Sequence, residues 1–130
     1  MVGCGAGDPF PMEQISGTVR YEDGSLIPSK SIIVRFEPLA SPLNEKTHPR
    51  PGNAQVNPAD GSFHTVTTYK YGDGIVRGRH KVLISERAAT LGAEDAPVKM
   101  LVPEAYRDSA TTPLEIDSGD SPFEFKIAKP

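Results

Sequence analysis

The sequence predicts an all-β fold, a two-sheet antiparallel sandwich, and three observations lead there. Apolar residues recur with a period of two in short runs, as they do along half-buried strands. Turn signals rich in Gly, Pro, Asn and Asp separate those runs, and the 13 Pro and 12 Gly carry no collagen-like period. No long stretch shows the 3.6-residue periodicity of an amphipathic helix. A chain of 130 residues has room for one such core.

Seven strands follow in order. In "QISGTVRYEDG", Ile15, Gly17, Val19 and Tyr21 alternate with Ser16, Thr18, Arg20 and Glu22. The "EDG" at 22–24 is a turn, because Gly accepts positive φ and Asp bonds its own backbone. In "SIIVRFEP", 31–38, Ile32, Val34 and Phe36 share one face, and Pro38 ends the strand. The proline-rich segment 38–52, which holds His48, reads as a long surface loop.

Residues 53–69 read as a hairpin: a short strand around Ala54–Asn57, a "PADG" turn, then a strand from Ser62 in which Phe63, Thr65 and Thr67 oppose His64, Val66 and Thr68. "KYGDGIVRG", 70–78, reads as a second Gly-rich loop. In "RHKVLISE", 79–86, His80, Val82 and Ile84 point inward. The stretch 87–113 has no clear period, and its "AATLGAED" is compatible with one helical turn. Leu114 and Ile116 precede a "DSGD" turn, and Phe123, Phe125 and Ile127 alternate with Glu124 and Lys126 to close a terminal hairpin. The expected core is Val19, Val34, Phe36, Phe63, Val82, Ile84, Phe123 and Phe125.

A formal charge of −3 leaves no broad basic field, which argues against nucleic acid as a partner. No apolar run reaches the roughly 18 residues of a spanning helix. No cofactor or metal is expected: one cysteine and three scattered histidines do not make a zinc or iron–sulfur set. By alternation His64 points out and His80 in, so the two do not form a metal pair. Asp60, Asp73 and Asp120 each adjoin a glycine without the alternating oxygen ligands of a calcium loop, and read as turn residues. Ser16, Ser62 and Ser85 lack a nucleophile motif, and no enzyme is expected.

The only cysteine, Cys4, stands in "MVGCG". A lone thiol there fits three readings: a nucleophile, an incidental thiol, or the lipid-bearing cysteine of a bacterial lipoprotein. Flanking glycines supply nothing to lower a thiol pKa, which disfavours the first. "VGC" followed by Gly resembles the end of a lipoprotein signal. On that reading Met1 stands as a new start in front of a trimmed leader, residues 1–13 form a tether that buries nothing, and the single domain spans 14–130. Acyl chains on Cys4 would then hold the domain at a membrane by burying roughly 0.8 kcal/mol per CH₂.

Three segments in this order, "ISGTVRYEDGSLIPSKSIIVRFEP", "ADGSFHTVTTYKYGDGIVRGRHKVLI" and "VPEAYRDSATTPLEIDSGDSPFEFKI", resemble the carboxypeptidase regulatory-like (transthyretin-like) domain lipoproteins of planctomycete-type bacteria. The resemblance covers about residues 14–127. It implies a seven-stranded Greek-key, prealbumin-like β-sandwich, a lipid-anchored envelope location on the periplasmic or surface side, and no established activity. Two other groups with this fold match poorly. Transthyretin-like hydroxyisourate hydrolases end in Tyr-Arg-Gly-Ser, whereas "AYRDS" at 105–109 has Asp108 in place of Gly and lies far from the end. Isopeptide-forming pilin domains need a Lys on the first strand and an Asn on the last, and here Arg20 and "PFEFKI" stand instead.

The expected function is a non-enzymatic envelope module that binds an envelope protein or glycan, with a purely structural spacer as the first alternative and a transthyretin-like hydrolase as the second. The loop "YKYGDGIVRG", 69–78, is the expected contact surface. Tyr69, Tyr71 and Arg77 are its candidate partner-binding residues, since aromatic and arginine side chains give large contact area and forked donors.

Overall fold

The computed structural model describes residues 10–28, 31–39, 41–42, 45, 48–86 and 101–129. Cys4 and the "AATLGAED" segment lie outside the described residues.

The longest strands are those with the cleanest alternation. They are β2 (Gly17–Tyr21), β3 (Ile32–Pro38), β8 (Arg79–Glu86) and β10 (Phe123–Ile127), and inward residues are buried at every second position of each. Shorter strands complete the set: β1 (Met12–Glu13), β4 (Gly52–Gln55), β5 (Ser62–Phe63), β6 (Val66–Thr67), β7 (Ile75–Val76) and β9 (Glu115–Asp117). Two 3-10 turns, Glu104–Arg107 and Ser118–Asp120, are the only helical segments among the described residues. The fold is all-β.

One sheet has the order β6-β4-β3-β8-β9 and is antiparallel throughout. A second has the order β10-β2-β5, and a two-stranded ribbon pairs β1 with β7. The two larger sheets share one core. Phe36 of β3 meets Phe63 of β5 at 5.9 Å and Phe125 of β10 at 6.3 Å between ring centres. Phe125 also stacks on Phe63 at 6.1 Å and on Phe123 at 5.6 Å. Fully burying each such ring stabilises the fold by about 1.5–3 kcal/mol. All eight expected core residues are buried.

Several expectations need correction. The terminal hairpin does not form. β9 pairs with β8, while β10 runs parallel to β2 from Phe123↔Gly17 to Ile127↔Tyr21. Between them, Asp117 caps the Ser118–Asp120 turn by accepting from Gly119 N–H, and buried Ser118 is bonded to Gly78 and Glu13. The chain is thereby carried across to the other sheet, where the β10 phenylalanines find Phe36 and Phe63.

The strand expected from Ser62 is broken at His64–Thr65. Phe63 and Val66, three apart, are both buried, so the chain must turn between them. β5 joins β2, and β6 joins β4. The first strand of that hairpin lies at Gly52–Gln55, two residues earlier than expected, with Val56 N–H still donating to the Ile32 carbonyl.

The loop 70–78 contains β7, whose Ile75 and Val76 are buried. Residues 10–13, expected to lie within a tether, are packed. Phe10 is buried, Met12–Glu13 pairs with β7, and Arg77 N–H donates to the Pro11 carbonyl, so the packed body includes residues 10–13.

Candidate functional site

The segment 69–78 leaves β6 and enters β7, and one carboxylate organises it. Asp73 Oδ1 accepts from Thr68 N–H at 2.8 Å, and Oδ2 accepts from Tyr69 and Lys70 N–H at 3.0 and 2.9 Å. A carboxylate with three backbone donors holds three residues of turn in one shape. Neighbouring bonds close the rest. Gly72 N–H donates to Thr67 Oγ1, the Thr68 hydroxyl to the Gly74 carbonyl, Gly74 N–H to the Val66 carbonyl, and Gln14 Nε2 to the Gly72 carbonyl.

The glycines serve this backbone. Gly74 has φ +90°, and a Cβ there would run into the Glu13 carbonyl oxygen, so β1 can lie against β7 only because that position has no side chain. Asp73 is the turn residue that its place beside glycine suggested.

The three candidate contact residues have different surroundings. Tyr71 is 87% exposed. Arg77 is also exposed on its side chain, while its backbone is held in the β1–β7 ribbon. Tyr69 is half-buried: the Arg50 guanidinium lies 5.3 Å from its ring centre, and its buried hydroxyl has no hydrogen-bond partner among the described residues. Tyr69 therefore belongs to the base of the loop, and Tyr71 and Arg77 are what it offers to solvent. Arg50 was missed in the sequence. It stands between two prolines in a segment without period, and nothing local marks it as a partner for a tyrosine nineteen residues on.

The histidines divide as alternation suggested. His64 is exposed and His80 fully buried. His80 Nδ1 lies 3.1 Å from the Gly78 carbonyl, and Nε2 has no partner among the described residues. Burial holds its pKa below the ordinary histidine value, against the smaller opposing effects of the Gly78 bond and the Asp117 charge. No cluster of His, Cys, Asp and Glu among the described residues could hold a metal ion.

In the "AYRDS" segment the Tyr106 hydroxyl accepts from Ala128 N–H at 3.0 Å, and Arg107 lies 3.6 Å from Glu86. Tyr106 thus pins the end of β10. An open groove runs beside this turn, lined by Glu37, Leu83, Glu104, Arg107, Asp108 and Thr111.

No protein-family profile, curated protein or solved structure matches the chain. Among the described residues no helix is long and apolar enough to cross a membrane.

Proposed function

We propose that this chain is the aqueous, non-catalytic binding domain of a lipid-anchored envelope protein, and that the 69–78 loop is its contact surface. The supporting observation is Tyr71, a large aromatic almost wholly in solvent on a turn that Asp73 and four further hydrogen bonds keep in one shape. A side chain presented by a preorganised loop loses little backbone freedom on binding, so more of its contact energy becomes affinity. Arg77 adds a forked donor suited to carboxylate, phosphate or sugar oxygens. The partner is an envelope protein or glycan.

The finer fold in this reading is the seven-stranded Greek-key, prealbumin-like sandwich. Its seven strands correspond to β2, β3, β4, the broken pair β5 and β6, β8, β9 and β10, with the β1–β7 ribbon as an addition. Attachment is through acyl chains on Cys4. Expressed with a lipoprotein leader, the protein should incorporate labelled fatty acid, and a Cys4→Ser variant that labels equally would refute the anchor.

Binding is tested by probing an array of envelope glycans, and purified envelope proteins, with the parent and a Tyr71→Ala/Arg77→Ala variant. Binding lost in the variant at an unchanged melting temperature supports the reading. A structural spacer is the second reading, favoured by the fact that Asp73 and the glycines are accounted for by backbone geometry without a ligand. No binding by either protein selects it, and equal binding by both moves the contact surface away from the loop.

A further inference from the structure

The outer edge of β10 has the chemistry to pair with a copy of itself. β10 is a five-residue edge strand, whereas the other edges of the two larger sheets, β5, β6 and β9, have two, two and three residues. In its parallel ladder with β2, Phe123 N–H donates to the Ser16 carbonyl and the Ile127 carbonyl accepts from Glu22 N–H. By that alternation, the backbone groups of Phe123, Phe125 and Ile127 face β2. Those of Glu124 and Lys126 face away, and no described residue pairs with them. Pro122, without an N–H, bounds this edge on one side, and Ala128, whose N–H is bonded to Tyr106, bounds it on the other.

A bare edge ordinarily invites indiscriminate pairing, and charges on it discourage that. The two charges here are opposite in sign. In an antiparallel pair centred on Phe125, Glu124 of one copy lies beside Lys126 of the other, and Lys126 beside Glu124. Both side chains are open to solvent, at 70% and 54% exposure, and lie 3.5 Å apart within one chain. The same register sets the outward N–H and C=O of residue 124 against those of residue 126 on the second copy. A two-fold axis then makes four backbone hydrogen bonds and two cross-strand ion pairs, while an in-register parallel pair would set like charges together.

We propose that a second copy of this chain docks on β10 in that register, joining two three-stranded sheets into one of six strands. With so short an edge the dimer is weak and forms at high local concentration.

Sedimentation of the full chain over a range of concentrations up to about 1 mM tests this, under reducing conditions so that Cys4 cannot link copies. The parent should show a concentration-dependent monomer–dimer equilibrium. Glu124→Lys and Lys126→Glu should each weaken it by about tenfold or more, because each reversal makes two like-charge pairs. Mixing the two variants should restore pairing as a heterodimer. Melting temperatures should stay near the parent's, since both residues are exposed. A parent that sediments as monomer throughout, variants that pair as well as the parent, or a mixture that stays monomeric would each overturn the proposal.

Discussion

Phe125→Ala strikes the point where the two larger sheets meet. The Phe125 side chain is 4% exposed, with the rings of Phe123, Phe63 and Phe36 centred 5.6, 6.1 and 6.3 Å away. Truncating a buried phenylalanine costs about 3–5 kcal/mol, from lost transfer energy plus the cavity left among rings fixed by their own strands. A domain of this size is ordinarily stable by about 5–15 kcal/mol, so the change removes between about a fifth and all of the total. With a urea slope near 2 kcal/mol per molar, a loss of about 4 kcal/mol lowers the unfolding midpoint by about 2 M. Phe125→Leu, which keeps most of the volume, should cost under about 1.5 kcal/mol. Equilibrium urea unfolding followed by circular dichroism reads both. A loss below about 1 kcal/mol for the alanine variant would mean that the sheets do not meet at this ring.

Three other outcomes follow from single sites. Gly24 and Gly74 both have positive φ, but a Cβ at Gly24 meets open space and one at Gly74 meets the Glu13 backbone. Gly24→Ala should therefore cost about 1–2 kcal/mol, and Gly74→Ala roughly 3 kcal/mol or more, both by urea unfolding. Asp73→Ala leaves three N–H groups to water or to nothing, and should lower stability by about 1–3 kcal/mol in the same assay. Burial holds the His80 pKa lower in the fold than in the unfolded chain, where the ring takes a proton below about pH 6.5. The unfolded state thus binds more protons there, and stability falls as pH drops from about 6.5. Melting scans from about pH 7 to pH 5 should show a flatter decline in His80→Leu.

The legible parts of the fold were those where one residue in two must be apolar. β2, β3, β8 and β10 show that alternation, and so does the inward turn of His80. Pairing was not legible, because period two says which face is buried and nothing about which neighbour lies alongside. Phe123, Phe125 and Ile127 would alternate identically in a hairpin with β9 or in the parallel pair they make with β2. Ile75 and Val76 were hidden because two consecutive buried residues between glycines carry no period at all. At the candidate site the turn chemistry of Gly and Asp was visible. The packing of Arg50 on Tyr69 was not, since it joins two loops distant in sequence.

Crosslinking from the tip of the loop bears most directly on the claim that this domain binds through the 69–78 loop. A photoreactive phenylalanine is placed at Tyr71, and, as a control with an exposed side chain outside the loop, at Glu22. Both proteins are irradiated with intact envelopes. A discrete crosslinked product is expected from position 71 and none from position 22. Identical patterns from the two positions, or no product from position 71, would contradict the claim.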